Sequence, residues 1–358
     1  MTVIAFTENF GYPMLIGDIL VTARDSVADE RPALPTAPEG VGVDGFPKVK
    51  LRKKLYVINE RLAVGLAGEL TEAVRFLQAL RDRFRLTASE AGVGGFMSEY
   101  DFPTNGDLEV MVVLAEAAAE REMFRVFHFP PDVVEGATEF TGDLLTIGSG
   151  ARSFFDSFSG MRTTARNPPV SHYEALERVM QGLAHLLFEE TFNQQRVRDE
   201  GWGAGFEVML FADGKFQKLP SATFAVWLRE GSTFAPKRLV TYCYDSEGRL
   251  VLHALGANSV VPFVAIGIDE EGGYQINLEP PNFQADVMAH VYVAHVEGVG
   301  YPLTVVFKRS GDRVIIQVVE GKLQILHAQS FTEEVRRRLA AQVTAGRLRM
   351  REVGAGEP

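Results

Sequence analysis

A single cysteine, Cys243, stands in the 358 residues. That excludes an internal disulfide and any cysteine-rich zinc site, and leaves the thiol as buried filler. No apolar run reaches the roughly 18 residues that a membrane span needs. The start of the chain also lacks the basic-then-apolar pattern of a secretory leader. The expected location is the cytoplasm, with no membrane contact. Positive charge is in deficit: 36 Lys and Arg against 47 Asp and Glu give a net charge of −11, which argues against a nucleic-acid partner. The arginines at 336–338 and 347–351 mix with apolar residues at helical spacing and read as a solvated helix face. Metal-ligand spacing is scarce. His185 with Glu189 is an i,i+4 pair of the kind found on helix surfaces. Residues 40–45 spell a formal G-x-G-x-x-G, but they sit in proline-rich loop before Pro47 rather than between a strand and a helix, so they do not make a dinucleotide fingerprint. Neither a cofactor nor a metal is expected.

What is present is an ordinary globular mixture, 46% apolar and 23% charged, in a chain long enough for two domains, each with its own core. The chemistry concentrates in the first 68 residues. If an aminopeptidase removes Met1, Thr2 carries a hydroxyl and a free α-amine on one residue. An unperturbed α-amine titrates near about 7.7 to 8.0, so a modest downward shift makes it a base for its own hydroxyl. Residues 2–6 are β-branched and apolar, and residues 12–23 form a second strand after a turn at 8–11. Asp18 lies inside that second strand, where a carboxylate is costly unless paired. Residues 54–58 and 62–67 form another hairpin, with Lys54 at its mouth as the candidate partner.

These motifs carry a resemblance. Thr2-Val3-Ile4-Ala5, then Gly17-Asp18 with Thr22, then the run from Arg52-Lys53-Lys54 to Gly65-Leu66-Ala67-Gly68 resembles the proteasome β-subunit and HslV branch of the N-terminal nucleophile (Ntn) hydrolases. In that family the mature chain starts at Thr, an Asp follows sixteen residues later, and a Lys precedes a Gly by fourteen. Asp18, Lys54 and Gly68 keep those spacings. Gly148-Ser149-Gly150 and Arg198-Asp199 continue the pattern in order. At Trp202 the family has a serine that helps hold the terminal amine and its water. The resemblance covers about residues 2–220. It implies an α+β fold, a four-layer αββα sandwich, followed by an additional β-rich domain.

It also implies roles. Thr2 attacks an amide carbonyl and its own amine takes the proton. Lys54 depresses that amine's pKa and stabilises the developing alkoxide. Asp18 holds Lys54, the Gly68 N–H donates to the oxyanion, and Ser149 and Asp199 complete the site. Thr22 binds substrate backbone along a strand edge. For Ser149, a turn serine capping the next helix is an equal reading. The implied substrate is a peptide, and the implied assembly a homo-oligomer, ring-shaped in the family, with an unfolding or regulatory partner. Two alternatives stand beside this. One is a small-molecule amidase, closed to proteins by the loop at 29–47. The other is a catalytically silent scaffold subunit, favoured by Trp202 and by a second helix that looks shortened or lost among the glycines of residues 87–106.

The rest of the chain supplies a frame. An amphipathic helix is expected over 69–85, a hairpin over 108–114 and 122–129, a strand at 144–147, and a helix over 151–158. A long helix begins at Ser171 with the capping pattern Ser171-x-x-Glu174. A hairpin over 207–211 and 216–219 closes the first domain at residue 220. Residues 221–358 alternate short strands and turns before a last helix over 332–344, and no catalytic cluster stands out there.

Overall fold

The computed structural model describes residues 2–21, 34–36, 50–104, 108–117, 122–130, 132–161, 167–192, 197, 200–230, 233–255, 260–270, 286–296, 299–308, 314–319, 322–330, 333, 337 and 341. The chain begins with strands β1 (Ile4–Thr7), β2 (Met14–Asp18), β3 (Leu20–Val21), β4 (Lys50–Arg52), β5 (Leu55–Asn59) and β6 (Leu62–Gly68). Helices α1 (Leu70–Phe84) and α2 (Glu90–Glu99) follow, then β7 (Leu108–Ala117), β8 (Glu122–Phe129), β9 (Val134–Thr138) and β10 (Gly142–Ile147). Helices α3 (Ala151–Gly160) and α4 (His172–Phe192) lead to β11 (Phe206–Ala212) and β12 (Lys215–Lys218). The remaining strands are β13 (Ser221–Glu230), β14 (Thr233–Tyr244), β15 (Leu250–Leu255), β16 (Val260–Ile266), β17 (Val287–Val296), β18 (Val299–Lys308), β19 (Val314–Val319) and β20 (Lys322–His327). The chain is therefore mixed α and β, and mostly sheet.

Two sheets frame the N-terminal part, one ordered β12-β11-β2-β1-β10-β9 and one ordered β5-β6-β7-β8. A strand's period of two divides its side chains between two faces. Ile4, Phe6 and Leu15 of the first sheet share a buried cluster with Leu55, Ala63, Met111 and Val113 of the second, so the sheets pack face to face. Val3, Ala5, Met14 and Ile16, on the reverse side of the first sheet, cluster with Phe154 and Phe158 of α3 and with Val179 and Leu183 of α4. Val64, Leu66, Val110 and Val112, on the outer side of the second, cluster with Phe76, Leu77 and Leu80 of α1. Gly65 allows the sheets to approach closely. A Cβ there would fall 2.4 Å from Ile4 Cγ2, inside any tolerable carbon contact.

Helix ends follow local chemistry. The Glu69 carboxylate accepts the Glu72 N–H at 3.0 Å at the start of α1, and Ser171 Oγ accepts the Glu174 N–H at 3.2 Å before α4. Contrary to the expectation for residues 87–106, a second helix is present. Ser89 caps α2 by accepting the Gly92 N–H at 3.2 Å. Phe96 then packs edge-on against Phe76 and Phe84 of α1, and Tyr100 edge-on against Phe76. That aromatic burial outweighs the weak helix propensity of Gly92, Gly94 and Gly95, about 1 kcal/mol each relative to alanine.

After residue 220 the chain builds an eight-stranded sheet ordered β18-β17-β13-β14-β15-β16-β4-β3. It crosses the boundary read at 220/221, because β3 and β4 come from the N-terminal region. Leu51 of β4 aligns in parallel with Ala265 of β16, and Leu20 of β3 pairs with Leu51. One face of this sheet packs on α4: Phe224, Tyr242, Leu252, Ala289 and Val291 belong to the same buried cluster as Val179 and Leu183. Gln329, Ser330, Glu333, Arg337 and Ala341 are helical; the rest of 332–344 lies outside the described residues. No helix among the described residues is long and apolar enough to cross a membrane.

Candidate functional site

Thr2 enters the six-stranded sheet at one end, where β1 pairs with β10 through Ile4 and Ile147. The turn that follows β10 wraps it. The Thr2 N–H donates to Ser149 Oγ at 3.2 Å, and the Thr2 carbonyl accepts the Gly150 N–H at 3.2 Å. Gly148 makes this wrap sterically feasible. Its φ is +102°, and a Cβ there would lie 2.1 Å from the Thr2 carbonyl oxygen, so no other residue fits. Thr2 is only 7% exposed, and among the described residues its hydroxyl has no hydrogen-bond partner.

Beneath Thr2 lies a buried ion pair. Asp18 ends β2 with no exposed surface. Its Oδ1 accepts from Lys54 Nζ at 2.7 Å and from the Val3 N–H at 2.8 Å, and its Oδ2 accepts the Gly203 N–H at 3.1 Å. One carboxylate thus ties an ammonium to the peptide group that follows Thr2. Lys54 Nζ also donates to the Leu20 carbonyl at 2.6 Å. Burial lowers the Lys54 pKa below its ordinary 10.5, while Asp18 pulls the other way and favours the ammonium. Lys54 is itself held from behind. Its N–H donates to Glu207 Oε2 at 2.7 Å, and the Leu55 N–H donates to the same oxygen at 3.2 Å.

No protein-family model matches this sequence, and no curated protein matches it.

Gly68 ends β6 at φ +101° beside Leu108 of β7. Its link to Thr2 runs through Glu109. Glu109 pairs with Ala67 across the strands, and its Oε2 accepts the Gly148 N–H at 2.6 Å. Direct hydrogen bonds join Thr2 to Ser149 and Lys54 to Asp18, the Val3 N–H to Asp18 links the two pairs along the chain, and Gly68 shares their end of the two sheets. Thr22 and Asp199 lie outside the described residues. Trp202 is fully buried. Its indole packs edge-on against Phe154, and its Nε1–H donates to Glu200 Oε2 at 2.8 Å. Far from this site, His185 Nε2 meets Glu189 Oε1 at 3.3 Å on the surface of α4.

Three carboxylates that the sequence reading passed over brace the site. Glu207 Oε1 accepts from Lys218 Nζ at 2.7 Å and from the Tyr244 hydroxyl at 2.8 Å, while its Oε2 holds the Lys54 and Leu55 amides. Glu190, on α4 and fully buried, accepts the Ala204 N–H at 3.1 Å and the Thr36 hydroxyl at 2.5 Å. It thereby shapes the loop whose Gly203 N–H reaches Asp18. Glu109 is the third, half-buried at the open end between the sheets. Glu109 and Glu207 each stand inside an apolar strand, the same signal that singled out Asp18.

Proposed function

We propose that the chain is an N-terminal threonine hydrolase that cleaves amide bonds through an acyl-enzyme, on a four-layer αββα sandwich of the proteasome and HslV type. The observation that carries this reading is the Asp18 carboxylate, which joins Lys54 Nζ to the Val3 N–H at 2.7 and 2.8 Å directly behind Thr2. A buried ion pair is an expensive way to anchor a strand end. Beside a hydroxyl it places a fixed positive charge where a developing alkoxide needs one.

With Met1 removed, the Thr2 nitrogen is a primary amine facing Ser149 Oγ. The neutral amine takes the hydroxyl proton as Oγ attacks the carbonyl carbon. The Gly68 N–H donates to the oxyanion. Collapse of the tetrahedral intermediate breaks the C–N bond, and the ammonium returns the proton to the leaving amine. Water, deprotonated by the same amine, then hydrolyses the ester and restores Thr2. Lys54 favours the neutral amine by like-charge repulsion, and Asp18 keeps Lys54 in place.

Intact-mass measurement on the protein from its own host should find a chain without Met1, and an electrophilic threonine-directed probe should add to Thr2. A chain that retains Met1 and refuses the probe would sink the mechanism. In that event the scaffold reading takes its place, favoured by one observation: Trp202 is buried against Phe154 and supplies no hydroxyl to the amine. The absence of a second helix no longer argues for a scaffold, since α2 is formed. As a peptidase the chain assembles into a homo-oligomer, and light scattering should return a multiple of the 39.5 kDa chain mass. A monomer at working concentration would leave the small-molecule amidase as the better reading.

A further inference from the structure

Lys54 sits where the chain crosses from one sheet to another. Arg52 ends β4 in the eight-stranded sheet and Leu55 begins β5 in the four-stranded one, so Lys53 and Lys54 span the gap. On the eight-stranded side the Arg52 N–H donates to the Ile19 carbonyl at 2.9 Å and the Lys53 N–H to the Ile266 carbonyl at 2.8 Å. On the four-stranded side the Leu66 N–H donates to the Lys54 carbonyl at 3.0 Å. Between these ties the Lys54 and Leu55 amides converge on Glu207 Oε2. The direction in which Lys54 leaves the backbone therefore follows where the Glu207 carboxylate is held.

The three large sheets meet at that carboxylate. Glu207 on β11 and Lys218 on β12 come from the six-stranded sheet, Tyr56 on β5 from the four-stranded one, and Tyr244 on β14 from the eight-stranded one. Lys218 Nζ lies 5.7 Å from the centre of the Tyr56 ring, 4.9 Å from that of Tyr244 and 2.7 Å from Glu207 Oε1. The second donor to Oε1 is the Tyr244 hydroxyl at 2.8 Å, and a hydrogen bond to a buried carboxylate is of the strong, charge-assisted kind. Burial first, and the Glu207 charge second, hold that hydroxyl well above its ordinary 10, so it stays a donor. We propose that Tyr244 is a positioning residue of this site: through its hydroxyl and Glu207, the C-terminal sheet fixes where the Lys54 ammonium stands relative to the Thr2 amine. This rests on the hydrolase reading above, and it gives the C-terminal region a part in the chemistry.

The test uses the full-length chain lacking Met1 and an alkyl β-lactone, whose ring opens to acylate the Thr2 hydroxyl, with labelling followed by intact mass from about pH 5 to about pH 9. Misfolded chains lower the final labelled fraction but not the rate constant, so the rate reads the site itself. Labelling needs the neutral amine, and kinact/KI therefore falls on the acid side with the amine's pKa. Asp18 and Glu207 are the charged groups that act on Lys54, and Glu109 is the carboxylate on which the terminal ammonium acts; the variants alter none of them. Tyr244→Phe keeps the ring beside Lys218 and removes the donor. The Lys54 ammonium then withdraws, the amine pKa rises, and the acid limb should move up by about half a pH unit or more, a loss of about threefold in kinact/KI below it, with KI within about twofold of wild type. Tyr242→Phe removes a buried hydroxyl from the same strand that has no hydrogen-bond partner among the described residues, and should leave the profile unmoved. An unmoved acid limb in Tyr244→Phe overturns the proposal and leaves the hydrolase reading intact, whatever the labelled fraction. Equal shifts in both variants also overturn it, because the contact to Glu207 is then not the cause. Wild-type protein that never takes the lactone overturns the hydrolase reading and this proposal with it.

Discussion

Under the proposed mechanism Thr2→Ala should abolish amide hydrolysis, lowering kcat by about 10⁴-fold or more, while the unfolding midpoint stays close to wild type. The size follows from losing a nucleophile whose work no other group can take over. Stability is spared because the Thr2 contacts to the rest of the fold are made by its backbone, through the N–H to Ser149 Oγ and the carbonyl to the Gly150 N–H. Thr2→Ser keeps a hydroxyl and should retain measurable turnover. Steady-state rates and a denaturant melt on the same preparations check this. Full activity in Thr2→Ala would end the mechanism outright.

The second large effect is on stability and comes from Glu207→Gln. Four donors converge on this buried carboxylate: the Lys54 and Leu55 amides, Lys218 Nζ and the Tyr244 hydroxyl. A glutamine offers one oxygen and turns an NH₂ group toward donors, so it leaves the Lys218 ammonium buried without its counter-charge. Breaking a buried pair in this way costs about 3 to 5 kcal/mol, which should appear as a lower denaturant midpoint. The pH dependence has a definite sign. Burial opposes ionisation of Glu207, but Lys218 and the hydrogen bonds outweigh it and hold the folded pKa below the ordinary 4.5. The unfolded chain therefore takes up a proton first as pH falls. The stabilisation is complete above about pH 4.5 and is lost as pH falls through the folded pKa. Wild type and Glu207→Gln should converge in stability in that acid range. A constant gap down to the acid limit would show that the charge of Glu207 is not what stabilises the fold.

Asp18 was legible in the sequence because it breaks a local rule, whereas Thr2 and Lys54 were singled out by the spacings of the resemblance. Asp18 puts a carboxylate into an apolar strand, and such a group must find a partner. Glu109 and Glu207 obey the same rule and could have been found by it: their partners Gly148, Lys218 and Tyr244 lie 39, 11 and 37 residues away, about as far as or nearer than the 36 between Asp18 and Lys54. Helix α2 was illegible for a different reason. Its three glycines speak against a helix locally, and only the ring packing onto Phe76 and Phe84 decides the matter. Strand β9 was missed because Gly136 interrupts it, and the reason for that glycine is non-local. Its missing Cβ makes room for the Phe155 ring, 2.9 Å away. The strands after residue 221 were largely visible as alternating β-rich runs, but nothing local announces that β3 and β4 join them.

That shared sheet sets an order of events during synthesis. Leu51 cannot meet Ala265 until 214 further residues have been made (265 minus 51). The Lys53 N–H likewise waits for the Ile266 carbonyl, which it meets at 2.8 Å. Contacts so distant along the chain form late, and these flank Lys54 immediately on its N-terminal side. A ribosome that has finished the first 220 residues has therefore made every residue of the proposed catalytic centre without the strand that steadies its lysine. The nascent chain carries its nucleophile in an unfinished setting until β16 has been made, 214 residues after Leu51.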